Sequence, residues 1–221
     1  MSEWLKLKAR DGHEFGAYLA QPRGKPQAGL LVIQEIFGVN AHMRTVADGF
    51  AAEGYLAISP AVFDRMERGV ELGYDSESVS RGRDLRARLD WEKTADDLRA
   101  AADAVASAGK VGSVGYCWGG TLVWLTATRG IAAAGVGYYG GQIGQYIDEK
   151  PACPLQLHFG KTDASIPLEG VAEIGRRHPE VEIHLYDAGH GFNCDHRGSY
   201  HKESAELALT RTLGFLKRYL E

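Results

Sequence analysis

The stretch Val111-Gly-Ser-Val-Gly-Tyr-Cys-Trp-Gly-Gly-Thr121 constrains the fold of this chain more than any other. Val111 to Tyr116 reads as a short buried strand, and Thr121 to Thr128 is apolar enough to begin a buried helix. Between them, Gly115-Tyr116-Cys117-Trp118-Gly119 fits a G-x-nucleophile-x-G turn with cysteine at its centre. A strand, a sharp turn and a helix would hold the Cys117 sulfur above a sheet edge on strained backbone. Glycines flank the turn because neighbouring backbone must pass where a Cβ would clash. The plain alternative is a buried structural cysteine, but it gives the flanking glycines no purpose.

The rest of the chain supplies strands and helices in alternation. Trp4–Ala9 and Glu14–Ala20, joined by Asp11-Gly12, read as an antiparallel hairpin. Ala28–Gln34 is a continuous apolar run, as in a strand buried on both faces. Further strands are expected at 54–60, 132–139, 154–159 and 181–186. Helices are expected at 42–53, 91–106, 171–177 and 199–220, the second being amphipathic, alanine-rich and closed by Gly109. Residues 61–90 are charged and carry no regular pattern. The chain thus reads as one α/β domain over residues 1–221, with a mostly parallel sheet covered by helices on both faces. No insertion after the 132–139 strand is long enough for a lid.

Composition closes off several function classes. A net charge of −4 argues against nucleic acid as a partner. No apolar run is long enough to cross a bilayer. The amino terminus, MSEWLKLKARDG, lacks an apolar signal core, so a cytoplasmic protein is expected. Three cysteines without paired spacing suit free thiols in a reducing compartment. The expected partner is a small molecule; the oligomeric state is open, with a monomer the default.

Four polar residues follow strands: Glu35, Cys117, Asp163 and His190. In parallel sheets, loops at the carboxyl ends of strands converge on the ligand-binding edge. Nucleophile, acid, then histidine is the chain order of α/β-hydrolases. His190 would take the thiol proton, and Asp163 would fix the ring tautomer. A thiolate beside an imidazolium at a helix amino terminus is stabilised and serves as a nucleophile near neutral pH. The backbone N–H groups of Ile36 and Trp118 are the candidate oxyanion donors. Each member has an ordinary explanation: a turn aspartate, an uncrowded loop histidine, a solvated loop glutamate. Glu35, however, follows a buried strand, where an unpaired charge is costly.

Gln34-Glu35-Ile36-Phe37-Gly38-Val39-Asn40, Val114-Gly115-Tyr116-Cys117-Trp118-Gly119-Gly120, Gly137-Tyr138-Tyr139-Gly140 and Ala188-Gly189-His190-Gly191-Phe192 together resemble the dienelactone hydrolase family of α/β-hydrolases. Gly160-x-x-Asp163 is a weaker match. The resemblance implies cofactor-free hydrolysis of the lactone ring of dienelactones, in the breakdown of chlorinated aromatics. It makes Cys117 the nucleophile, His190 the general base then acid, and Asp163 its orienter. It also implies that Glu35 competes with histidine for the thiol: the resting thiol stays protonated until substrate binding swings Glu35 to take its proton. Such a device would shield the sulfur from stray oxidation.

Dienelactone-using members hold the substrate carboxylate with two arginines. One lies four residues after the histidine, where this chain has Cys194. At the other position an ungapped alignment places Val79, with Arg83 at a neighbouring tyrosine. Arg81, Arg83 and Arg197 are nearby substitutes, and Phe37 and Tyr139 are further candidates for substrate contact. A carboxylesterase for neutral esters and a thiol-based sensor on a hydrolase scaffold are the competing readings. His190, Cys194, Asp195 and His196 have metal-ligand chemistry. No metal is expected, because His190 already has a role and no second ligand pair is visible. Cys194 could be a second reactive thiol, Cys153 reads as buried and inert, and Trp124 and Leu125 read as core.

Overall fold

The computed structural model describes residues 1–221 and contains one eight-stranded sheet, in the order β1-β2-β4-β3-β5-β6-β7-β8. The strands are β1 (Ser2–Lys8), β2 (Glu14–Ala20), β3 (Gly29–Ile33), β4 (Leu56–Pro60), β5 (Val111–Tyr116), β6 (Ala134–Tyr138), β7 (Leu155–Gly160) and β8 (Glu182–Tyr186). The hairpin β1–β2 and the β2–β4 pair are antiparallel; every other pair is parallel. Every residue of β3 and β6 is buried, while β1 at one edge stays largely exposed. This is why the central strands read as unbroken apolar runs.

The helices are α1 (Ala41–Ala52), α2 (Ser76–Ala87), α3 (Trp91–Val105), α4 (Trp118–Thr128), α5 (Leu168–Arg177) and α6 (Lys202–Leu220). Four of them begin on side-chain caps, α6 on the His201 ring, whose Nδ1 accepts the Ser204 N–H at 3.3 Å. Asn40, Asp75 and Asp90 accept the N–H groups of Met43, Ser78 and Lys93 at 3.1, 2.9 and 2.9 Å. Alternation along β5 assigns the faces: Ser113 and Gly115 meet α4, whereas Gly112 meets the Leu216 and Leu220 side chains of α6. Trp124 and Leu125 are fully buried in the core.

Helix α2 lies in the stretch that showed no pattern. Only Gly82 and Leu85 of its residues are buried, so hydrophobic periodicity could not mark it. It is seated instead by a close approach: a Cβ on Gly82 would lie 2.1 Å from the Ile36 carbonyl oxygen. Of the arginines between 81 and 88, Arg81, Arg83 and Arg88 are exposed and Arg86 is half-buried.

Around the Cys117 turn, backbone packs on backbone. A Cβ on Gly115 would come within 2.2 Å of the Gly119 carbonyl oxygen, one on Gly119 within 2.3 Å of that of Ile33, and one on Gly120 within 2.4 Å of that of Tyr138. Gly119→Ala is therefore expected to destabilise by about 3 kcal/mol, the upper range for overpacking. Urea unfolding would measure it; a change within about 0.5 kcal/mol, as at ordinary surface positions, would show that α4 can shift away freely.

Candidate active site

Strand β5 ends at Tyr116, and the chain turns at once into α4. Cys117 takes φ 55° and ψ −115°, a left-handed conformation that non-glycine residues adopt under constraint. Its N–H donates to the Tyr138 carbonyl at 2.9 Å, fixing the turn on the adjacent strand. The sulfur therefore stands at the amino terminus of α4, where the helix dipole favours negative charge.

His190 lies in the loop after β8, with Nε2 3.1 Å from the Cys117 sulfur. Its Nδ1 lies 2.7 Å from Oδ2 of Asp163, in the loop after β7. Asp163 is buried and also accepts the Ser165 N–H at 2.8 Å on Oδ1. Burial disfavours a charged His190, but its hydrogen bonds to Asp163 and Cys117 outweigh that and push its pKa up to about 10. Sulfur, imidazole and carboxylate form one continuous chain, from residues 46 and 27 positions apart in sequence.

The Ile36 and Trp118 N–H groups donate to no backbone carbonyl, and both residues line the cleft beside Cys117. That leaves two free donors on the sulfur's side of the site. The loop carrying Ile36 is fixed from outside. The Leu72 N–H donates to the Phe37 carbonyl at 2.9 Å, and Asn40 donates to the Leu72 carbonyl at 3.0 Å and to the Tyr74 hydroxyl at 3.2 Å.

Glu35 is buried, 1% exposed. Its Oε1 lies 3.4 Å from Arg197 Nη1, and its Oε2 is buried without a partner. Burial raises its pKa, opposed by Arg197 and His190. No hydrogen bond joins Glu35 to Cys117. The thiol faces His190 and the glutamate faces Arg197.

The cleft has a volume of about 270 Å³. Arg83, Arg86 and Arg197 line it, with Phe37 and Val79. Arg197 lies 5.8 Å from the Phe37 ring centre and 5.9 Å from that of Tyr74. Two of the expected contacts are corrected. Arg81 points away and pairs with Glu67, because on a helix it faces nearly opposite to the 79, 83, 86 stripe. Tyr139 is fully buried, its ring 5.1 Å from that of His190, so it backs the histidine and does not line the cleft. Arg86 was missed. Its signal was the i, i+4, i+7 spacing of Val79, Arg83 and Arg86, readable only once α2 is placed. Cys194 is buried, with its thiol pushed up to about 11 by burial, which suits an inert thiol rather than a reactive one. Cys153 is only partly buried, and burial also pushes its thiol up to about 11.

A mostly parallel sheet with this strand-end constellation defines an α/β-hydrolase. The profile of the dienelactone hydrolase family matches residues 15–220. The carboxymethylenebutenolidase of Pseudomonas putida is 34% identical over 227 residues, covering 98% of this chain and 96% of that protein. That of Pseudomonas sp. strain P51 is 34% identical over 230 residues, covering 99% and 96%. A solved structure from Klebsiella pneumoniae, described as a candidate dienelactone hydrolase, superposes with a TM-score of 0.85 at 29% identity, covering 99% of this chain and all of that one. The chain belongs to the dienelactone hydrolase family and is a hydrolase of the lactone or ester class. No helix is long and apolar enough to cross a membrane.

Arg197 faces the buried Glu35 carboxylate at 3.4 Å, which gives a pH-dependent prediction. The folded state raises the Glu35 pKa, so this group's contribution is full below the ordinary glutamate value and is lost as pH rises through the folded one. Removing Arg197 raises that folded value further. Arg197→Ala should therefore cost about 3 kcal/mol near pH 8 and clearly less near pH 5. Urea midpoints at the two pH values read the difference, and adding Glu35→Gln should abolish it.

Proposed function

We propose that this enzyme opens a small, carboxylate-bearing lactone or ester through a thioester on Cys117. The observation that carries the reading is the unbroken run from Cys117 sulfur through His190 to Asp163, at 3.1 and 2.7 Å, beside two unpaired backbone donors.

The thiolate attacks the acyl carbon, and the carbonyl electron pair moves onto oxygen. That oxyanion accepts the N–H groups of Ile36 and Trp118. Collapse re-forms the carbonyl and breaks the acyl–oxygen bond, and the leaving oxygen takes a proton from the imidazolium of His190. In a lactone the leaving oxygen stays tethered to the acyl group. Water then gives a proton to His190 and attacks the thioester, releasing the acid and regenerating the thiolate. Buried Asp163 holds the ring tautomer and stabilises the imidazolium throughout.

Three guanidinium groups around a small cleft support a substrate with a carboxylate, which arginine can bind in bidentate fashion. They weigh against a neutral ester as the preferred substrate, and the relatives named above are carboxymethylenebutenolidases. A substrate carboxylate arriving at Arg197 would compete with Glu35 for that cation. The unpartnered Oε2 of Glu35 supports a role for it as a proton acceptor at that moment.

Cys117→Ala should lower kcat on a dienelactone and on a chromogenic short-chain ester by about a thousandfold or more; turnover that survives the substitution would remove cysteine catalysis. The Arg83→Ala, Arg86→Ala double variant should lower kcat/KM for the dienelactone by about tenfold or more. It should leave the neutral ester within about twofold, as expected for a contact the neutral substrate does not make. Equal losses on both substrates would overturn the carboxylate reading.

A further inference from the structure

A second group of ligand-type side chains lies outside the cleft. His42 is the second residue of α1, and Asp195 and His196 lie in the loop between His190 and α6. His42 Nδ1 is 3.1 Å from Asp195 Oδ1, and the same oxygen is 3.9 Å from His196 Nε2. One donor atom from each residue lies within 4.8 Å of the other two. The imidazole rings of His42 and His196 are 5.2 Å apart, and the Tyr74 ring flanks both.

We propose that His42, Asp195 and His196 form a binding site for a divalent transition-metal cation of the Zn2+ type, separate from the hydrolytic cleft. Two imidazoles and one carboxylate are the donor set such ions take, at about 2.0–2.2 Å each. Ligands of a tetrahedral ion at that bond length stand about 3.4 Å apart, so the widest pair, now within 4.8 Å, must close by about an ångström. His42 is buried and fixed by its helix, while the Asp195 and His196 side chains are about half exposed, so the two mobile ligands can close on the fixed one. A groove of about 410 Å³ beside α1 and α6 has His42 and Asp195 on its wall. It gives an ion access and leaves space for water in the remaining coordination positions.

The site would strengthen the junction of α1 with the loop before α6, which His42 and Asp195 already tie at 3.1 Å. The ligating loop also carries Arg197, the partner of Glu35. A bound ion would brace that loop against α1. The inference does not depend on which substrate the cleft takes.

Cys117 and His190 could themselves bind Zn2+, so the test uses the Cys117→Ala protein, stripped with chelator and titrated with ZnCl2 by calorimetry. One equivalent should bind and raise Tm. His196→Ala and Asp195→Ala, both at exposed positions, should each weaken binding by about a hundredfold or more, since even outer-shell partners of a metal account for about 10–100-fold. Co2+ in the same protein should give weak visible bands without a thiolate charge-transfer band. Absence of binding would leave a plain histidine–aspartate tie and overturn the proposal. Binding that is unchanged in both variants, or a thiolate band, would place the ion elsewhere and overturn it equally.

Discussion

The site depends on the absence of side chains where α4 meets the sheet. Gly115, Gly119 and Gly120 let the helix backbone lie directly on β3, β5 and β6. Cys117 sits at the centre of that contact with positive φ, a conformation that costs about 1–3 kcal/mol in a free chain. It persists because the surrounding backbone permits no other path. The strain thus turns a small residue into a fixed post, with its sulfur at the helix amino terminus and within 3.1 Å of an imidazole.

Much of this arrangement was legible from residue order. The parallel strands announce themselves because burial on both faces demands unbroken apolar runs, as in Gly29–Ile33. Asp163 and His190 could be anticipated because each lies in the loop after a strand. Helix α2 could not, because it buries only Gly82 and Leu85 and its seat is a backbone contact with Ile36. Without that helix, sequence leaves the direction of Arg81, Arg83 and Arg86 open, and Arg81, a candidate for substrate contact, pairs with Glu67 instead. Tyr139 looked like a cleft residue because it follows β6 at the functional edge, yet its ring turns inward behind His190. The convergence of His42 with Asp195 spans 153 positions and has no local signature.

Electrostatics divide the site into two balanced parts. On one side, Asp163 and the cysteine favour an imidazolium against the cost of burial. On the other, Arg197 only partly offsets the desolvation of Glu35. The first pair is closely hydrogen bonded; the second is held at 3.4 Å with one carboxylate oxygen unmet. A buried carboxylate held so loosely is the part of the site that responds most to an arriving anion.

The seating of α2 has an evolutionary consequence. Two of the three cleft arginines ride on a helix that contributes little to the core, while Cys117, Asp163 and His190 follow strands of the sheet. Selection can remodel the charged wall, helix and all, with small penalties to folding and none to the alignment of sulfur and imidazole. Lineages of such proteins are therefore free to diverge in what they accept long before they diverge in how they cut it.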